Sequence, residues 1–262
     1  VSPDLDHLET LSLAIDPSSQ SLQTILKKLP SIRRLKLKCR GFYSLKAATR
    51  NCDKILVFDC LNQLQSLRLT ALDGYGFKFP LNLKKLTLKW NRQPWSEIST
   101  IGKLPNLEVL KLLKESFVGE EWVMEEGEFP SLRVLELSML DIRKWTASSD
   151  NFSRLEKLCV HSCMNLEEVP SCLGECETLQ MIEVKGCRDS VTNCVDQIQQ
   201  EQMDMGNEVQ MMVTEDFGYT FASSDLESIP SEAESIPSEA ESNFSEEESN
   251  ASEQESISSH HA

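Results

Sequence analysis

The chain has 262 residues, of which 40% are hydrophobic and 26% charged, with a formal net charge of −16, so it can hold one sizeable core. No run approaches the roughly 18 apolar residues of a membrane span, and Val1 to Leu13 has neither the basic start nor the apolar run of a signal peptide. The charge is unevenly spread: residues 215–262 hold 13 acidic residues and no Lys or Arg, whereas residues 1–214 set 29 acidic residues against 26 basic ones. The acidity therefore belongs to the tail and says nothing about the partners of the body. Nine cysteines, an odd number without the paired framework of small secreted domains, fit a reducing compartment. The sequons at Asn151, Asn243 and Asn250 are weak counter-evidence.

The body is organised by one motif, Leu-x-x-Leu-x-Leu behind an aromatic residue and a proline, seen most fully in Phe129-Pro130-Ser131-Leu132-Arg133-Val134-Leu135-Glu136-Leu137. Its first core position recurs at Leu8, Ile32, Leu64, Leu83, Leu107, Leu132, Leu155 and Leu179. The intervals keep to the period of a leucine-rich repeat, apart from one long unit after Ile32 and one short unit after Leu64. Within each unit apolar and polar residues alternate, so the leucines enter a core while the residue between them faces the other way. One turn cannot bury such a face alone; stacked turns can. The fold class expected is α/β, a curved parallel sheet with short helices and loops on its convex side. Residues 1–189 hold about eight repeats, residues 190–213 a C-terminal cap, and residues 214–262 an acidic tail.

After the first repeat, Leu22, Ile25, Leu26 and Leu29 have helical spacing and predict a short outer helix that Pro30 ends. In the long second interval, Ile55-Leu56-Val57-Phe58 reads either as outer packing or as a degenerate strand. Between Leu64 and Leu83, Gly74, Gly76 and Pro80 predict a tight loop. Ile98, Ile101 and Leu104 form a helical stripe, and the acidic segment with Trp122, Glu125, Glu126 and Glu128 reads as an exposed outer bulge with its aromatic tucked inward. Asn91, Cys163 and Cys187 occupy the repeat position whose side chain lies beneath the turn leaving the strand. Ser190 can cap a helix carrying Val191, Val195 and Ile198, and Val209 to Val213 reads as a last strand. The chain opens inside a repeat, with Leu5 and Leu8 in place, as the carboxyl-terminal piece of something larger would.

From about Thr214 the apolar periodicity ends and Glu227-Ser228-Ile229-Pro230-Ser231-Glu232-Ala233 recurs from Glu234. Pro230 and Pro237 interrupt any helix, and one apolar residue per unit makes no coiled-coil seam, so the tail reads as disordered. Ser231, Ser238, Ser245 and Ser252 each precede an acidic residue three positions on, the pattern of acidophilic kinase substrates. Four phosphates would add roughly −6 to −8 charges, and the tail could compete for a basic surface on the body.

Cys159, Cys163, Cys172 and Cys176, with His161 between them, have a spacing that invites a zinc reading. The repeat frame opposes it, because these positions fall on different sides of a turn, and no metal site is assigned. No phosphate-binding loop of the Gly-x4-Gly-Lys-Ser/Thr type occurs, and His7, His161, His260 and His261 have no plausible nucleophile to serve. The chain therefore reads as non-enzymatic. The expected concave face is more informative. Its central column runs Ser12, Lys36, Arg68, Thr87, Lys111, Glu136, Cys159 and Glu183, basic early and acidic or neutral later. Arg33, Arg34, Lys38, Lys84, Lys85 and Lys89 strengthen the early patch. Such charges either serve solubility or dock an acidic protein partner. Nucleic acid is a weaker choice, because the body is slightly acidic and carries no reader motif.

Leu104-Pro105-Asn106-Leu107-Glu108-Val109-Leu110-Lys111-Leu112, the Trp122 to Glu128 segment running into Phe129 to Leu137, Leu155 to Cys163 with Leu166 to Pro170, and Ile198 to Asn207 together resemble the leucine-rich repeat region of plant intracellular nucleotide-binding immune receptors. The coiled-coil class that includes late blight resistance proteins is the most similar. The resemblance covers residues 1–213. It implies a cytoplasmic recognition module that senses a pathogen effector or a perturbed host protein and helps hold the receptor off. It also implies a docking partner in the receptor's own nucleotide-binding domain, which would carry the ATP or ADP; no cofactor is expected in this segment. The family's nucleotide-binding domain and coiled coil are absent here, and the heptad tail departs from the usual ending. The alternative is the substrate-recognition region of an F-box ubiquitin ligase subunit.

Overall fold

The computed structural model describes residues 7–15, 22–39 and 54–214. The elements in chain order are β1 (Thr10–Ile15), α1 (Leu22–Leu26), β2 (Arg34–Cys39), β3 (Lys54–Val57), β4 (Ser66–Thr70), β5 (Tyr75–Lys78), β6 (Lys85–Lys89), β7 (Gln93–Pro94), α2 (Ser99–Gly102), β8 (Val109–Leu113), β9 (Phe117–Val118), β10 (Glu121–Val123), β11 (Val134–Ser138), β12 (Lys144–Thr146), β13 (Lys157–His161), β14 (Met181–Lys185), α3 (Asp189–Asp204) and β15 (Gln210–Thr214). Nine of these strands form one open parallel sheet in the order β1-β2-β4-β6-β8-β11-β13-β14-β15. Each aligned repeat supplies one strand, and β15 adds a ninth beyond them.

The register explains why the repeats stack. Leu35, Leu67, Leu86, Leu110, Leu135, Leu158 and Ile182 lie side by side across seven strands, and so do Leu37, Leu69, Leu88, Leu112, Leu137, Val160 and Val184. None is more than 1% exposed. Fully burying one such side chain is worth about 1.5 to 3 kcal/mol, and the two columns run unbroken because a period-2 strand shows every second residue to the core. At the ends the pattern loosens: Leu11 and Leu13 on β1 are only half-buried, and Met211 on β15 is partly covered.

A left-handed corner closes these turns. Ala71, Trp90, Lys114, Met139 and Ser162 sit one residue past their strands with φ between 42° and 59°, and Gly186 does so with φ 56°. For a residue with a Cβ this conformation costs about 1 to 2 kcal/mol. Each corner N–H donates to the corresponding carbonyl of the next turn, Lys89, Lys114, Ser138, His161, Lys185 and Thr214, at 2.7 to 3.2 Å, which keeps the ladder running past the strand ends. Beneath the corners, Asn91 accepts from the Leu72 N–H at 3.1 Å and donates to the Leu69 carbonyl at 3.4 Å. Cys163 donates to the His161 carbonyl and Cys187 to the Val160 carbonyl, each at 3.6 Å. These are the places the repeat frame predicts for them.

The other side of the core is covered by α1, α2, α3 and three small parallel pairs, β3 with β5, β7 with β9 and β10 with β12. A run of stacked indoles lies on this side. Trp95, Trp122 and Trp145 lie 4.9 and 5.1 Å apart at interplanar angles of 11° and 4°, with Phe117 stacked on Trp95 at 4.8 Å. Ile55 to Phe58, open between two readings in sequence, proves to be both: residues 54–57 form a strand, and Leu56 and Phe58 are buried.

The short outer helix is present as α1, with Leu22 and Leu26 buried and Ile25 exposed. Three expectations are corrected. The stretch between Leu64 and Leu83 contains β5, paired with β3, rather than only a loop. Glu128 is buried against Gly102 and accepts from the Glu125 N–H at 3.1 Å, so the acidic segment is not wholly exposed. Ser190 lies inside α3, whose N-cap is Arg188 with no side-chain cap; Asp189 in the first turn supplies the favourable negative charge instead. Val191, Val195 and Ile198 are buried as their spacing predicts. Ser231, Ser238, Ser245, Ser252 and the heptads lie outside the described residues.

Candidate interaction face

Strand alternation turns one face of the main sheet away from the core, and the register lines its residues into three columns. The central one reads Ser12, Lys36, Arg68, Thr87, Lys111, Glu136, Cys159, Glu183 and Met212. The two beside it carry Arg34, Lys85, Val109, Val134, Lys157 and Met181, and Lys38, Lys89, Leu113, Ser138, His161 and Lys185.

The nine basic residues singled out in the sequence divide by surroundings. Arg34, Lys36, Lys38, Arg68 and Lys85 are exposed on β2, β4 and β6, and Arg34 donates to the Thr10 hydroxyl at 3.0 Å. Among the described residues no ion pair engages Lys36, Lys38, Arg68 or Lys85, and no acidic residue occurs on β1, β2, β4 or β6. Lys89 lies over the Trp90 ring at 4.4 Å. Lys111 is held by Glu136 at 2.5 Å, half-buried between strands. Arg33 and Lys84 sit just before their strands, in a ladder of pairs with Glu9 at 3.7 Å and Glu108 at 3.0 Å, which Arg133 and Glu156 continue at 2.7 Å. Exposed pairs of that kind are worth about 0 to 1 kcal/mol each.

At the other end a cluster forms that the cysteine spacing did not indicate. Cys159 and His161 are two residues apart on β13, and Glu183 on β14 is the register partner of Cys159. Their donor atoms all lie within 4.8 Å of one another. The Glu183 carboxylate stands 2.5 Å from the Lys185 ammonium, 3.3 Å from that of Lys157, 3.4 Å from His161 Nε2 and 3.8 Å from Cys159 Sγ. Hydrogen bonds from Lys185 and then Lys157, outweighing burial, hold its pKa down at about 2. Burial pushes the Cys159 thiol up to about 11 despite Lys157 nearby, and lowers the His161 pKa although Glu183 pulls it the other way. The aligned repeat columns, which put Cys159 beside Glu183, were the signal available in sequence.

The cysteine quartet does not converge. Cys159 is on this face, Cys163 lies beneath the corner with its thiol pushed up to about 12 by burial, and Cys172 and Cys176 belong to the 3-10 turn Ser171–Glu175 and its end on the other side of the core. Cys176 instead donates to the Phe152 carbonyl at 3.0 Å.

No helix among the described residues is long and apolar enough to cross a membrane. No family model matches the chain. Over 212 residues it is 34% identical to a late blight resistance protein homolog of Solanum demissum, covering 78% of this chain and 16% of that protein, and a second homolog of the same plant gives the same figures. A third, from the same plant, is 29% identical over 245 residues, covering 88% of this chain and 18% of that protein. The chain thus spans less than a fifth of the length of these relatives.

Proposed function

A homologue of the late blight resistance proteins over most of its length, this chain is, we propose, a leucine-rich repeat recognition module of a plant disease resistance receptor. In this reading residues 1–189 form the repeats of a horseshoe, residues 190–213 its cap and residues 214–262 an acidic tail. The module acts in the cytoplasm without catalysis, binding a pathogen effector or a perturbed host protein and contributing to autoinhibition by docking on the receptor's own nucleotide-binding domain. The substrate-recognition region of an F-box subunit is not favoured, since the relatives are named as resistance proteins.

The observation that carries the docking reading is the asymmetry of the outward face. Its first four strands hold Arg34, Lys36, Lys38, Arg68, Lys85 and Lys89 with no acidic residue among them, whereas the later strands pair their bases with Glu136 and Glu183. Clustered charge of one sign attracts a surface of the other and sets its register. The test is association of the chain with a separately prepared resistance-receptor nucleotide-binding domain, for the native sequence and for the quadruple reversal of Arg34, Lys36, Arg68 and Lys85 to Glu. Reversal should weaken binding by tenfold or more, and 0.5 M salt should weaken the native complex, since the screening length is already about 8 Å at physiological ionic strength. Binding indifferent to both would leave the patch a solvated face.

A further inference from the structure

We propose that Cys159, His161 and Glu183 form a binding site for a divalent metal ion of the zinc class on the outward face of the sheet. The site is independent of the docking reading, since it lies on β13 and β14 and uses none of the early basic residues.

Geometry is the first argument. Zinc bonds of about 2.0 to 2.3 Å to nitrogen, oxygen and sulfur put tetrahedral donor atoms about 3.3 to 3.6 Å apart. Here His161 Nε2 stands 3.4 Å and Cys159 Sγ 3.8 Å from the two oxygens of Glu183, and all three donors fall within 4.8 Å of one another. Drawing the widest of these separations, up to 4.8 Å, onto that scale takes about an ångström of side-chain movement, after which one ion bonds all three. The backbone that sets this triangle is regular: residues i and i+2 of one strand share a face, and the third ligand comes from the hydrogen-bonded neighbour.

The donor chemistry is the second. One sulfur, one imidazole nitrogen and one carboxylate oxygen suit a borderline ion such as zinc, whereas calcium and magnesium require oxygen shells. His161 Nε2 is buried from solvent and makes no hydrogen bond; the Glu183 carboxylate it faces at 3.4 Å is itself one of the proposed ligands, so both donors border the space an ion would fill. The fourth coordination position would face outward, open to water or to a partner's side chain.

Lys157 and Lys185 hold the carboxylate when no ion is bound. Their side chains are 37% and 42% exposed, so both can return to water as the metal takes the carboxylate. The Cys159 thiol gives its proton to solvent and the resulting thiolate donates a lone pair to the ion; no other bond changes and nothing is oxidised.

The test titrates the full 262-residue chain, kept reduced with a phosphine, with cobalt(II) and then zinc. A saturable thiolate-to-cobalt charge-transfer band, bleached by zinc and insensitive to excess magnesium, is expected. Cys159→Ser should abolish the band, while His161→Ala and Glu183→Gln should weaken binding by at least the roughly 10- to 100-fold that loss of a supporting partner costs. Cys60→Ser, which removes an exposed thiol outside the cluster, should leave it intact. Zinc should also protect Cys159 but not Cys60 of the native chain from alkylation, mapped by peptide mass, a reading that needs no variant to fold. No band at millimolar cobalt, a band that survives Cys159→Ser, or equal protection of the two cysteines would overturn the proposal.

Discussion

Replacing Glu183 by Gln should cost the body about 3 kcal/mol at neutral pH, and the cost should shrink in acid. The carboxylate is 12% exposed and its pKa is held at about 2, against 4.5 for an ordinary glutamate; at about 1.4 kcal/mol per unit, that is about 3 kcal/mol of stability. A depressed pKa stabilises the fold above the unfolded-state value and loses that contribution as pH falls from 4.5 towards 2. Linkage leaves less than half of it at pH 3. Glutamine keeps the shape but offers the two ammoniums only a neutral oxygen. Because Lys157 and Lys185 reach solvent, the variant strands no buried charge that would inflate the loss. Urea unfolding of both proteins at pH 7, 5, 4 and 3, followed by the fluorescence of the stacked tryptophans, measures the difference directly. A gap below about 1 kcal/mol at pH 7, or one that stays constant down to pH 3, would show that the two lysines do not stabilise this carboxylate as described.

Other substitutions test the repeat architecture in the same unfolding assay. Leu110→Ala, in the middle of a fully buried column, should cost about 2 to 5 kcal/mol. Asn91→Ala leaves the Leu72 N–H without its acceptor and should cost about 1 to 3 kcal/mol, while Asn91→Cys, the residue the later turns carry, should cost less. Gly102→Ala would improve helix propensity on an open helix, but here the new Cβ would lie 2.8 Å from Glu128 Cδ. A lower melting temperature is expected, and a higher one would mean that the buried Glu128 moves aside freely.

The sheet was legible because it is written in a period-2 alternation that returns once per turn: when Leu132, Leu135 and Leu137 are aligned with their counterparts, the faces of the eight repeat strands follow, including the central outward column from Ser12 to Glu183. Asn91, Cys163 and Cys187 were legible for the same reason, each being a polar or thiol side chain at a fixed offset. What only the tertiary structure decided is how residues without a local signal are used. Ala71, Trp90, Met139 and Ser162 adopt a left-handed corner that their own chemistry disfavours, because the N–H of each finds a carbonyl in the next turn. Trp95, Trp122 and Trp145 are unevenly spaced and fall outside the leucine frame, yet they stack because their turns do. Among the bases, composition could not separate Lys36 and Arg68, exposed and without an ion pair among the described residues, from Lys111 and Arg33, which neighbouring turns supply with Glu136 and Glu9. Cys159, His161 and Glu183 share a cluster by register across two successive turns, while the cysteine spacing suggested a quartet that the turns keep apart. Local alternation determines which way a side chain points; only the stacking of turns determines what it meets there.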